Sequence, residues 1–261
     1  MYRPRHSRLK WPFDVDAYFE GLNHEFPVPA MSPDTDILPQ SKREANKLDK
    51  VTRIKQAARE LFVVHGYDET TTREIAARAG VALGTLFSYA TNKRDLLFLV
   101  GNDLLEQTRL QAQQSIAEDR FILENFVVFS AYHYAALSVE PTLSKLILRE
   151  LLFYDSGIQA IRAMENRALL LKNLETMIEI SSARGEIELP VQASVICPVL
   201  FEILQGEIRR WLGSGALDLL EGIGRLWTSS ALVINGISKQ QVPLVAEKRR
   251  LRALVRSVAV R

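Results

Sequence analysis

The 261 residues are 47% hydrophobic and 25% charged, enough apolar material for one large domain or two smaller ones with a real core. A net charge of +2 excludes a chain that coats nucleic acid with uniform positive charge, and a single cysteine, Cys197, excludes an intrachain disulfide. No uncharged run is long and apolar enough to span a bilayer; 226–238, for one, contains Thr, Ser and Asn. With no signal-peptide pattern at the start, a soluble cytoplasmic protein without membrane association is expected.

Residues 1–40 hold six of the ten prolines, so they cannot form one long helix. Trp11, Phe13, Tyr18, Phe19 and Phe26 are many aromatics for a disordered arm. Two readings stay open: a loose extension with a short docking helix near 15–22, or an arm whose Arg3, Arg5, Arg8 and Lys10 reach a minor groove.

From 41 to 65, Leu48, Val51, Ile54, Ala58, Leu61, Phe62 and His65 fall on one helical stripe, with most of the lysines and arginines off it. Gly66 ends this helix. The next, opening near Thr71 or Thr72, has Glu74 three residues after Thr71, the spacing of a capping box. Ile75, Ala76 and Ala79 face inward, and Gly80 ends the helix at a position needing positive φ. A third helix, 82–89, turns Leu86 inward. A small residue at Ala76, Gly80 four later and Leu86 six after that let two short helices cross closely, which is the pattern of a helix-turn-helix. Asn92 is a good cap for a fourth helix, 93–114. The charge follows this division. Residues 41–95 carry 11 basic and 7 acidic groups, a local +4; residues 96–238 carry 11 and 17, or −6; residues 239–261 carry 7 and 1, or +6. Phosphate binding requires the local sign, which is positive where the helix-turn-helix lies.

Thr72, Ile75-Ala76, Ala79-Gly80-Val81, Gly84-Thr85-Leu86-Phe87, Tyr89, Lys93 and Asp95-Leu96-Leu97 make this stretch resemble the TetR family of one-component transcriptional regulators. The motif resemblance runs from Leu48 to Leu97. It implies that Thr72, Arg73, Ala82, Leu83, Thr85, Phe87, Ser88, Tyr89 and Lys93 meet DNA, with Lys93 on a phosphate and Leu83 helping to choose sequence. It also implies a homodimer on a palindromic operator, released by a small-molecule effector. Three residues depart from the pattern: Ala82 replaces a usual Ser, Phe87 a usual Tyr, and Ala90 a usual Phe.

Beyond 97 the periodicity predicts helices at about 121–139, 141–154, 158–184, 191–213 and 216–236, with no strand alternation, so the expected fold is all-α. The expected organisation is an extension (1–40), a helix-turn-helix domain (41–96), a helical effector-binding and dimerisation domain (97–238) and a basic tail (239–261). Phe121, Phe126, Phe129, Tyr132, His133, Tyr134, Phe153 and Tyr154 cluster on the middle helices. They read as core, as an aromatic pocket for an apolar effector, or as both; Phe126, Phe129, Tyr132, His133 and Phe153 are the candidate ligand contacts. Leu200, Ile203, Leu204, Ile208 and Trp211 on one of the last two long helices, and Leu219, Ile223, Leu226, Trp227 and Leu232 on the other, are expected to form the dimer face. Within the tail, 246–261 has Leu251, Leu254, Val255 and Val258 at helical spacing among six basic residues; it could form an amphipathic basic helix and reads first as solvated, then as a contact to the DNA backbone or an acidic membrane surface. No phosphate-binding glycine loop, metal-ligand pair or nucleophile–base motif is present, so no enzyme, cofactor or metal is expected. A constitutive DNA-binding protein without effector is the alternative.

Overall fold

The computed structural model describes residues 42–153, 156–187 and 193–259. The proposed N-terminal arm or docking helix, and Tyr154 of the aromatic cluster, lie outside them. Among the described residues the chain is helical: α1 Lys42–Val64, α2 Thr72–Arg78, α3 Leu83–Phe87, α4 Lys93–Gln114, α5 Ile122–Ser138, α6 Pro141–Glu150, α7 Ile158–Ala183, α8 Ala193–Gly213, α9 Leu219–Asn235 and α10 Lys248–Ala259, with a 3-10 turn at Leu151–Phe153. One isolated antiparallel bridge joins Ile187 to Ser238. None of these helices is long and apolar enough to cross a membrane.

Two apolar clusters organise the helices. The smaller holds Ile54, Ala58 and Phe62 of α1, Ile75 and Ala76 of α2, Leu86 of α3, and Leu96 and Leu97 of α4. Leu143 and Ile147 of α6 complete it. The larger is built around α5, which is buried from Ile122 to Leu137 save for Glu124. A helix apolar on all sides must be surrounded, and α4, α7, α9 and α10 pack around it. At one crossing, Gly222 of α9 lies against Tyr134 and Trp211. A Cβ there would sit 2.7 Å from Trp211 Cδ1 and 2.8 Å from Tyr134 Cε1, so the close approach requires glycine.

Two expectations change. The basic tail is not solvated: 248–259 form α10, whose Leu251, Val255 and Val258 are buried in the larger cluster. Arg250 pairs with Glu124 at 2.9 Å and stacks over Trp227. The apolar stripe recognised in the sequence was thus real, and its burial outweighs the solvation of neighbouring charges, which stay at the surface.

The stripe expected to face a second subunit is instead mostly internal. Leu200, Leu204, Ile208 and Trp211, and Leu219, Ile223, Leu226 and Trp227, are all buried within one chain, while Ile203 is half-buried and Leu232 exposed. Helix α8 carries a second stripe at Val195, Val199, Ile203, Gly206 and Arg210. Together with Ser229 of α9, part of that stripe lines an open groove of about 530 Å³. Glu207, buried at its floor, accepts from Ser229 Oγ at 2.8 Å and Arg210 Nη1 at 3.2 Å. Cys197 is buried, and burial pushes its thiol up to about 11, so it is a small core side chain rather than a reactive thiolate.

Candidate nucleic-acid interface and effector region

The N-terminal helices present a shaped face. Thr71 caps α2 through a closed capping box: Glu74 N donates to Thr71 Oγ1 at 3.2 Å and Thr71 N to Glu74 Oε2 at 2.8 Å. Thr72 is therefore the first residue inside the helix, beside the free N–H groups that suit an anion. At the other end Gly80 takes φ +63° and Val81 N reaches back to Ala76 O at 3.0 Å. Arg53 of α1 donates to Ala79 O at 2.7 Å, closing the same end. The turn then releases α3, whose N-cap Ala82 makes no side-chain hydrogen bond, as the loss of serine implies.

The predicted contact residues differ in exposure. Arg73, Ala82 and Ser88 are exposed, and Phe87 is 40% exposed. Thr72, Leu83, Thr85 and Tyr89 are half-buried; Leu83 and Tyr89 also pack in part on the small core. Lys93 is engaged differently. Its ammonium donates to Tyr67 O at 2.8 Å and Asp68 O at 3.0 Å and lies 4.6 Å from the Tyr67 ring centroid. It ties the loop after α1 to the start of α4.

Most of the basic groups here have internal work. Arg59 forms a two-bonded pair with Glu140, Arg78 pairs with Glu60, Arg94 with Glu150, and Lys55 with Asp103. Among the described residues Arg73, Lys47 and Lys50 form no such ion pair and remain exposed on α1 and α2.

A buried carboxylate behind these helices has no local signal in the sequence. Asp95, fully buried, accepts from Thr91 N at 2.8 Å and also from the first backbone groups of α7: Ile158 N at 2.9 Å, Gln159 N at 2.8 Å and Ala160 N at 3.2 Å. The N-cap of α7 is Gly157, which has no side chain to offer. Asp95 supplies the cap from 62 positions earlier in the chain, and its negative charge matches the helix dipole. Gln159 Nε2 donates to Tyr89 O at 2.9 Å, so α7 also holds the residue that follows α3. The local signal at Asp95 was only that of a third residue in a helix; partners beyond 150 leave no trace in that pattern.

The aromatic cluster divides. Phe126, Phe129, Tyr132 and Tyr134 are buried and packed, and His133 is buried with them. Phe153, on the 3-10 turn, is 87% exposed and is not packed with them. His133 Nδ1 lies 3.1 Å from Phe129 O, whereas its Nε2 has no partner. Burial, and then the nearby Arg109 charge, hold its imidazole down at about 4 against the Phe129 carbonyl. The unfolded chain takes up this proton near 6.5, so His133 costs no stability above that pH and progressively more as pH falls toward 4. The expected loss is at most ~3 kcal/mol. Thermal unfolding of His133→Gln should show a flatter stability profile than the parent across that window.

The α2–α3 pair forms a helix-turn-helix, with the helices of the larger apolar cluster behind it. Comparison with known proteins agrees. Residues 54–100 match the model of the bacterial regulatory proteins of the tetR family. The fatty acid metabolism regulator protein of Bacillus subtilis is 24% identical over 168 residues, covering 64% of this chain and 85% of its own. The structure of Thermus thermophilus FadR, a TetR-family transcriptional repressor in complex with lauroyl-CoA, covers 76% of this chain and 100% of its own, with a TM-score of 0.57 and 24% identity. That of SmeT, repressor of the Stenotrophomonas maltophilia multidrug efflux pump SmeDEF, covers 77% of this chain and 97% of its own, with a TM-score of 0.56 and 16% identity. Residues 54–100 thus match the DNA-binding segment of tetR-family regulators, and the chain shares the helical fold of these solved structures.

Proposed function

We propose that this protein is a cytoplasmic homodimeric repressor that binds a palindromic operator and releases it when a small molecule enters the domain behind the reading head. The observation that carries the reading is the outward α2–α3 face. Thr72 and Arg73 meet phosphate at the start of α2. Ala82, Leu83, Thr85, Phe87, Ser88 and Tyr89 enter the major groove, where an apolar Leu83 reads a thymine methyl. Lys93 acts mainly by holding the loop beside that face. Half-sites would lie roughly 34–36 Å apart, one helical turn. The outer stripe of α8, with Leu232 of α9, is the surface offered to the second copy. The α7 contacts to Asp95 and Tyr89 give the effector a lever: shifting α7 re-aims α3. A coupling of ~1–3 kcal/mol suffices to change operator affinity 5–150-fold.

The lauroyl-CoA complex of the Thermus relative supports an apolar effector here. The packed state of Phe126, Phe129 and Tyr134 favours the constitutive alternative, since a ligand must displace side chains to enter. A thermal-shift screen of lipophilic compounds decides between them.

Selection of bound duplexes from a random pool tests the main reading. It should yield an inverted repeat, and no preference over random duplex at moderate salt would refute it. Arg73→Ala should weaken binding to all sequences and lower the slope of log affinity against log salt by about 1. A change confined to some sequences would refute the phosphate role.

A further inference from the structure

We propose that the outer face of α10, with the bend before it, is a docking surface for an anionic lipid membrane. The protein meets the bilayer with the end remote from its helix-turn-helix, so the proposal is independent of the operator reading.

Helix α10 carries Lys248, Arg249, Arg250, Arg252 and Arg256, all exposed, and no acidic residue from 248 to 259. Its inner side is the buried stripe Leu251, Val255 and Val258. At about 100° per residue, Arg249, Arg252 and Arg256 fall together on the opposite side. Arg250 is taken up by Glu124 and the Trp227 ring. Lys248, Arg249 and Arg252 form no ion pair with any described residue. The stability of the helix does not ask for this arrangement. Lys248, Arg249 and Arg250 occupy its first turn, where the helix dipole is positive and opposes cations. An anionic surface relieves that opposition and the repulsion among the cations themselves.

Charge alone would also suit nucleic acid, and two observations select lipid. Leu244 is 44% and Val245 75% exposed, in the bend just before α10. Apolar side chains beside cations match a bilayer interface, where the first enter the acyl boundary and the second meet head groups. Phosphate contacts along a duplex have no use for them. The second observation is position. Arg250 pairs with Glu124 in the first turn of α5, whereas Glu140, just past the other end of α5, pairs with Arg59 of α1. Helix α10 thus begins at the end of α5 away from the N-terminal helices, and a duplex held by α3 lies at the other end. A second copy presenting the same face would set cation against cation. Attachment of this kind needs no spanning helix.

Sedimentation of the full chain with vesicles tests this. The parent should pellet with vesicles of phosphatidylglycerol and phosphatidylcholine in equal parts, not with pure phosphatidylcholine, and less as salt rises. Lys248→Gln, Arg249→Gln and Arg252→Gln together should weaken that partitioning tenfold or more, at about fivefold per cation. Leu244→Ser with Val245→Ser should weaken it while leaving its salt dependence. Both variants keep the buried stripe of α10, and their unfolding midpoints check that they fold. No pelleting, equal pelleting with the two lipids, or parent-like pelleting of either variant overturns the proposal. Loss of random-duplex affinity in the charge variant with vesicle binding unchanged assigns the face to nucleic acid and overturns it as well. None of these results bears on operator selection, so the two readings stand or fall separately.

Discussion

Asp95→Ala is expected to lower stability by ~3–5 kcal/mol, the cost of stripping one member from a buried charged network. Four backbone N–H groups lose their shared acceptor: Thr91 N, Ile158 N, Gln159 N and Ala160 N. Each donor left without a partner in a buried site costs ~1–3 kcal/mol, and water reaching the opened helix end recovers part of it. For a chain of this size the midpoint of thermal unfolding should fall by roughly 6–20 °C. Asp95→Asn keeps the shape but turns an amide N–H toward other N–H groups, so it should fall between the two. The second readout is functional. With the α7 cap gone, effector binding should change operator affinity less than in the parent chain, even at a temperature where the variant is folded. A variant as stable as the parent would show that the cap does not hold these helices together, and one with undiminished effector response that it does not transmit.

Leu86→Ala should be nearly as severe, at ~2–5 kcal/mol and toward the upper end. Leu86 is fully buried where α3 crosses α2. Ala76, Ala79 and Ala90 are buried in the same cluster and are too short to collapse into the space it would leave. The damage should be local. Amide hydrogen exchange should quicken in α2 and α3 while α5 and α9, in the other cluster, keep their protection. Operator binding should be lost with it, since α3 has only five residues and no side-chain cap to hold it. Leu83→Ala, at a half-buried position on the outer face, should alter sequence preference with much less effect on stability. Exchange that quickens equally in both clusters would contradict the separation of the two cores.

The reading head was legible because its determinants are short-range. Thr71 and Glu74 stand three apart, and Gly80 and Leu86 follow Ala76 at spacings that one turn of chain dictates. The central domain was legible as helices but not as a site. Phe153 looked like its aromatic neighbours, yet it falls on a turn that exposes it; nothing in the residue type records which way a turn points. On α8 two apolar stripes share one helix, and periodicity alone could not say which one the chain would bury itself.

What the residues alone determined is the helical class, the helix-turn-helix with its caps and outward face, and a second apolar unit behind it. Local spacing, turn chemistry and apolar periodicity suffice for these, because each acts within a few turns of chain. Only the tertiary structure decided that 248–259 dock as α10, that Leu200 and Trp227 face inward, that Lys93 serves a loop, and that Asp95 caps a helix starting 63 residues later. Such outcomes depend on which surfaces compete for burial and which polar groups are left without water, and that competition is settled only when distant segments meet.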